Sequence, residues 1–209
     1  MSERKEHWEK VYREKLPHTV SWYQGVPILS LSLIDKAELP PDAPIIDVGG
    51  GASTLVDNLC ERGYSNVSVL DVSAGALAHG RKRLAQKGYR AHWFEEDITR
   101  FSAPQRFALW HDRAVFHFLT AQADRDRYID VLRHSLQPGA QVIMLTFAIG
   151  GPVRCSGLDI VQYDADKLGA ELGADFELLE WGREAHLTPS GNTQEFAWFR
   201  FLYPQEDDR

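Results

Sequence analysis

From Pro44 onward the apolar positions follow two alternating rhythms. Short, mostly apolar runs appear at APIIDVGGG (43–51), NVSVLDVS (66–73), FALWHDRAV (107–115) and QVIMLTFAI (141–149), and YRAHWFEEDIT (89–99) reads as a third strand with its exit loop. Runs of this kind are too short for helices and too uniformly apolar for a half-solvated sheet, so they predict strands covered on both faces. Between them lie segments with helical spacing. STLVDNLCERG (53–63) starts at Ser53 as N-cap and stops at Gly63, AGALAHGRKRLAQKG (74–88) stops at Gly88, and DRDRYIDVLRHSLQPGA (124–140) runs to a Pro-Gly stop. A further helix is expected near Asp164–Leu172. Strands alternating with helices of this length predict an α/β fold: a doubly wound, mostly parallel sheet with helices on both faces. The last two runs, FELLEWGREAHL (176–187) and TQEFAWFRFLY (193–203), have no helix between them. They predict a hairpin and therefore an antiparallel last strand. Residues 1–40 read differently, as HWEKVYREK, a break at LPHTVSWYQGVP, then ILSLSLIDKA. This pattern predicts a helical segment of its own ahead of a domain spanning 41–209.

Composition adds bounds. The chain has 209 residues, 44% hydrophobic and 25% charged, enough for one large core. A net charge of −7 argues against a broad nucleic-acid face, so no nucleic-acid partner is expected. The start MSERKEHWEK lacks the apolar stretch of a signal peptide, and no run is long enough to span a membrane. Two cysteines, Cys60 and Cys155, have no metal-ligand spacing, so a reducing, cytoplasmic setting and no metal site are expected.

The candidate chemistry sits at strand ends. In a doubly wound sheet, ligands lie at the carboxyl ends of the strands, where strand order reverses. Gly49-Gly50-Gly51 follows the first strand and precedes a helix. Asp71 ends the second strand twenty residues after Gly51, where a carboxylate meets the ribose of a nucleotide. A dinucleotide fingerprint wants another glycine where Thr54 stands, which speaks against a nicotinamide-dependent oxidoreductase. Asp47, inside the first strand, suits an amine-bearing or cationic ligand better than a pyrophosphate.

"IDVGGGAS", "VLDVS", "EEDIT" and "LWHDRAVFHF", in that order, resemble the successive nucleotide-site motifs of class I S-adenosylmethionine-dependent methyltransferases over about residues 43–203. The resemblance implies a Rossmann-like, seven-stranded sheet and S-adenosylmethionine as cofactor. It implies that Gly49 and Gly51 support the methionine part, that Asp71 and its neighbour Val72 meet the ribose, and that Asp97 accepts the adenine amino group with Ile98 lining the ring. His111 and Asp112 would lie beside the transferring methyl. The N-terminal HWEKVYREK and SWYQ resemble the lid of a branch that includes methyltransferase-like protein lysine methyltransferases and bacterial homologues. Trp8, Tyr12, Trp22, Tyr23 and Gln24 would then close over the cofactor.

Methyl transfer requires a nucleophile held in line, and a protonated amine also needs a base. His111, Asp112 and His186 are the expected catalytic residues. Trp22, Asp47, Gly49, Gly51, Asp71, Val72, Asp97, Ile98 and His111 are the expected cofactor-binding ones. His117, in VFHFL, reads as a buried histidine. The expected reaction moves a methyl group to a small-molecule thiol or amine. The alternatives are a protein lysine as acceptor, a nicotinamide-dependent oxidoreductase, or a non-catalytic nucleotide-binding module.

Overall fold

The computed structural model describes residues 2–204. Residues 205–209, which the sequence assigns to the end of the main domain, lie outside the described residues. The chain opens with α1 (Glu3–Glu14), capped by the Ser2 hydroxyl accepting from the Lys5 amide, and α2 (Ile28–Asp35). Strands and helices then alternate: β1 (Ile45–Val48), α3 (Leu55–Glu61), β2 (Val67–Asp71), α4 (Ala74–Gln86), β3 (His92–Glu95), β4 (Phe107–Arg113), α5 (Gln122–Ser135) and β5 (Leu136–Phe147). A small hairpin, β6 (Arg154–Cys155) and β7 (Leu158–Asp159), leads to α6 (Ala165–Leu172), β8 (Glu177–Leu187) and β9 (Thr193–Leu202).

The main sheet has seven strands in the order β3-β2-β1-β4-β5-β9-β8. β1 pairs in parallel with both β2 and β4, so the order reverses at β1. β9 runs antiparallel to β5 and β8. The expected Rossmann-like, mostly parallel sheet with an antiparallel last strand is the sheet observed.

Successive residues of each strand enter different cores, because side chains alternate across a sheet. Ile46, Val48, Trp110, Val142 and Met144 face α5 and α6, meeting Tyr128, Leu132, Leu168 and Leu172. Ile45, Val67, Val69, Leu109, Ile143 and Leu145 face α2, α3 and α4, meeting Leu31, Ile34, Val56, Leu59 and Leu77. All four residues of β1 and all five of β2 are buried. Two covered faces leave no polar alternation for a strand to show, which is why these strands read as continuous apolar runs.

The helix stops fall where expected. The Tyr64 amide donates to the Leu59 carbonyl past Gly63, and the Tyr89 amide to the Leu84 carbonyl past Gly88. Two expectations need correction. The N-cap of α3 is Thr54, while the Ser53 hydroxyl accepts from the Leu55 amide (3.1 Å) one turn position earlier. Pro138-Gly139 is not a helix stop: α5 ends at Ser135 and β5 starts at Leu136, so this pair lies in the strand beside its register shift against β4. The shift makes an irregular strand start that tolerates a missing amide.

Candidate functional site

β1, β2 and β4 end on one rim, and two adjoining clefts open there. The first encloses about 840 Å³, part of it open to solvent. It runs from Asp97 and Ile98 past Asp71, Val72 and Gly49 to Phe147, Gln194 and Phe196. The second, about 560 Å³, lies over the glycine loop between Asp47, His111 and Ser30. Trp22, Gly49 and Arg113 border both.

The loop's shape has causes inside the protein. Gly49 has φ +71°, and a Cβ on it would lie 2.1 Å from Val115 Cγ2. A Cβ on Gly50 would lie 2.1 Å from Asp47 Oδ2, and one on Gly51 2.7 Å from Asp71 Oδ2. The helix that follows β2 presses in as well, for a Cβ on Gly80 would lie 2.3 Å from the Gly51 carbonyl oxygen. The glycines thus leave room for the two aspartates of the rim.

Each acidic residue is held differently. Asp71 Oδ2 accepts from the Gly51 amide (3.1 Å) and Oδ1 from the Ser73 amide (2.8 Å). Burial pushes its carboxyl up to about 6, against the pull of those two amides. Asp47 Oδ1 meets His111 Nδ1 at 2.7 Å, while its Oδ2 is buried with no partner. Asp97 Oδ1 accepts from the Thr99 amide and hydroxyl, and both its oxygens accept from Arg4 Nη1 at 2.8 Å. Burial works to raise the Asp97 carboxyl, and the Thr99 and Arg4 donors outweigh it, leaving the pKa below its ordinary value.

The expected catalytic group does not come together. His111 borders the second cleft, but both ring nitrogens are engaged, Nδ1 with Asp47 and Nε2 with the Ser30 hydroxyl (2.9 Å). Asp112 points through the sheet to the opposite face. Its oxygens accept from the Val115 and Phe116 amides and from the Tyr128 hydroxyl at 2.6 Å, and burial raises its pKa to about 6. Asp112 borders neither cleft, so His111 and Asp112 do not come together at one. His186, on β8, places Nε2 2.7 Å from the Ser21 carbonyl oxygen and is not among the residues bordering either cleft. Its position fastens the chain ahead of α2 to the hairpin. His117 is fully buried, stacked on Phe147, with Nδ1 accepting from the Phe147 amide (3.3 Å).

The N-terminal segment covers the rim. Trp8 packs edge-on against Trp22 and Phe118, with ring centroids 5.7 and 5.1 Å apart. Glu9 accepts from the Ser73 hydroxyl and from the Ala74 and Gly75 amides, so it caps α4 from outside. Arg4 bridges Asp97 and Asp124, and Lys5 pairs with Glu95. Asp124, in the first turn of α5, thus ties that helix to α1. Sequence reasoning missed Arg4 and Glu9, because charges on an amphipathic helix read as solvated. The cation over Phe196, Arg113, was legible only as a residue at the end of β4.

Comparison with known proteins bears on this geometry. Residues 45–139 match a family model described as a methyltransferase domain. The eEF1A lysine and N-terminal methyltransferase of Bos taurus is 23% identical over 150 residues, 68% of this chain and 21% of that protein. The chain thus spans about a fifth of that relative's length. A structure reported for the conversion of a disulfide bond into a thioacetal group during echinomycin biosynthesis has a TM-score of 0.77 at 17% identity, covering 98% of this chain and 93% of that one. A SAM-dependent methyltransferase from Anabaena variabilis has a TM-score of 0.73 at 16% identity, covering 97% and 96%. The N-methyltransferase NodS from Bradyrhizobium japonicum, in complex with S-adenosyl-L-homocysteine, has 0.69 at 16%, covering 94% and 98%. At these identities the structural likeness speaks for the fold.

Proposed function

We propose that this chain, which has the fold of the class I S-adenosylmethionine-dependent methyltransferases and their sequence pattern over residues 45–139, is an enzyme that moves a methyl group from S-adenosylmethionine to a nucleophilic acceptor. One observation carries the reading: three carboxylates border the two adjoining clefts, Asp71 and Asp97 the first and Asp47 the second, each with acceptor capacity to spare. Asp71 would take the ribose hydroxyls beside the two amides it already holds. Asp97 Oδ2, with Arg4 as its one donor, would take the adenine amino group, with Val72 and Ile98 alongside. The orphaned Asp47 Oδ2 would take the methionine ammonium, an exchange that removes the cost of a buried unmet oxygen. Gly49 and Gly51 would bring the backbone close to the methionine part.

When bound, the cofactor supplies a sulfonium methyl that is already activated for in-line displacement. The chain's own work is to hold, orient and exclude water. His111, tied at both nitrogens, would orient Asp47 rather than take a proton. Residues 1–40 would act as a lid over domain 41–209, with Trp8, Trp22 and Phe118 closing off the cleft and Arg4 and Glu9 clasping its rim.

The acceptor reading that a cleft walled by Trp8, Trp22, Phe118, Phe147 and Phe196 favours is a small molecule with an amine or thiol. The likeness to the bovine eEF1A methyltransferase favours a second reading, a protein lysine. A nicotinamide dinucleotide suits the site poorly, since its pyrophosphate would lie against Asp47. Calorimetry with S-adenosylmethionine and with NAD separates these classes. Affinity for the first and none for the second is expected, and the reverse removes the proposal. A screen of small molecules and cell extract with radiolabelled cofactor then identifies the acceptor. Tight cofactor binding with no methylated product from either source would leave a binding module instead.

A further inference from the structure

Beyond the glycine loop the first cleft is bordered by a guanidinium with two unmet donors. Arg113, the last residue of β4, donates from Nη1 to the Trp22 carbonyl oxygen (2.9 Å) and lays its guanidinium 4.7 Å from the Phe196 ring centroid. Its Nε and Nη2 are buried with no partner. No carboxylate among the described residues forms an ion pair with it. Asp47 and Glu184 attract it only at longer range, and although burial lowers its pKa to about 10, it stays cationic at neutral pH. Nε–H and Nη2–H share one edge of the guanidinium and point the same way. That edge is the fork that matches the two oxygens of a carboxylate. The groups around it suit the rest of such a molecule. Phe118, Phe147 and Phe196 make apolar walls, and Gln194 presents an Oε1 that also lacks a partner.

We propose that Arg113 anchors a carboxylate on the methyl acceptor, which makes the acceptor a small, flat acid rather than the lysine of a protein. This rests on the methyltransferase reading above and narrows its acceptor. A carboxylate in the fork satisfies both orphan donors at once, with opposite charge. A lysine ammonium would meet the same edge donor against donor, with like charge. The Phe rings take the flat body, and Gln194 Oε1 accepts an N–H or O–H from the same molecule. Because the Trp22 carbonyl aligns the guanidinium through Nη1, closing the lid also aligns the fork. The acid enters while the lid is open and is sealed in when it closes.

Affinity for S-adenosylhomocysteine is measured first by calorimetry on the full chain. The saturated complex is then titrated with matched acid and amide pairs, benzoate against benzamide and phenylacetate against phenylacetamide. In the wild type at least one acid should bind about tenfold or more tightly than its amide, as a charge-assisted pair of hydrogen bonds requires. Arg113→Gln should abolish that preference, and Arg113→Lys, which keeps the charge without the fork, should weaken it. S-adenosylhomocysteine affinity should stay within about threefold of wild type in both variants. The lysine variant carries the test if the glutamine variant fails to fold. The proposal is overturned by the absence of any acid preference in the wild type, or by its survival in Arg113→Gln. It is overturned as well if S-adenosylhomocysteine affinity falls about tenfold or more in either variant, since the fork would then belong to the cofactor's own carboxylate. A wild type that binds no S-adenosylhomocysteine sinks the methyltransferase reading itself, and with it this inference.

Discussion

Asp71→Asn tests the cofactor site by removing its charge and one of its two acceptor oxygens. The native carboxylate already accepts the Gly51 and Ser73 amides, and a ribose diol would add two donors to the same pair of oxygens. Two charge-assisted hydrogen bonds at roughly 1.5 kcal/mol each sum to about 3 kcal/mol, or about 150-fold in affinity. Asparagine keeps one acceptor oxygen and turns the other position into a donor facing a backbone amide. The expected loss of S-adenosylmethionine affinity is therefore about 2–3 kcal/mol at pH 8, measured by calorimetry.

The same residue sets a pH dependence. Burial raises the Asp71 carboxyl from 3.8 to about 6, while its two amide partners, and the ribose once bound, favour the ionised form. Cofactor affinity should then fall below pH 6, by about tenfold per unit toward pH 5, and Asp71→Asn should flatten that limb. Stability of the free protein runs the other way. A carboxyl whose folded pKa is raised contributes stability that is fully present below its unfolded value near 3.8 and lost as pH rises through about 6. Asp112 titrates in the same range from the opposite face of the sheet, so Asp112→Asn should leave the cofactor's pH profile in place. Wild-type affinity in Asp71→Asn, or a flat profile from pH 8 to 5 in the native protein, would refute the assignment.

Gly49→Ala should lower the unfolding free energy in urea by about 2–4 kcal/mol, from a positive φ and a clash with Val115. Adding Val115→Ala should recover only the clash, and a single variant as stable as wild type would contradict the packing argument. In hydrogen exchange, residues 3–25 should open faster without S-adenosylmethionine than with it, because α1 is held to the rim by surface ion pairs and a few aromatic contacts. Equal protection in both states would make the segment scaffold. His111→Ala should weaken cofactor affinity about threefold to thirtyfold by freeing Asp47, whereas His186→Ala should leave that affinity near native. A His111→Ala protein that binds cofactor normally but does not turn over would restore a direct catalytic role.

What the sequence made legible follows from what sequence patterns encode. Strands buried on both faces must be apolar throughout, so β1, β2, β4 and β5 announced themselves. The hairpin of β8 and β9 followed from the missing helix between them. The place of Asp71 beside the glycine loop was legible because a glycine loop and an acid at the next strand end are tied by chain length within one βαβ unit. The partners of Asp112 and His186 were not legible, because a partner of each comes from another element of the fold. Tyr128 reaches Asp112 from α5, and the Ser21 carbonyl reaches His186 across 165 positions. A polar residue near a strand end looks the same in sequence whether it faces a ligand or closes a hydrogen-bond network behind the sheet.

The glycine loop carries the same lesson further. Read as a string, Gly49-Gly50-Gly51 suggests a backbone bared for a ligand. In the fold, the space each missing Cβ would fill already belongs to Val115, to Asp47, and to Asp71 with Ala76. Two of those four neighbours are the carboxylates assigned to the ammonium and the ribose. The loop can turn this tightly over the end of β1 only if those carboxylates lie in the positions its side chains would have taken. Glycine and acid are therefore one arrangement rather than two motifs. The glycines leave room for Asp71 at the first cleft and Asp47 at the second, the Gly51 amide and His111 hold them there, and on the reading proposed above their remaining lone pairs would meet a nucleotide with an amino group.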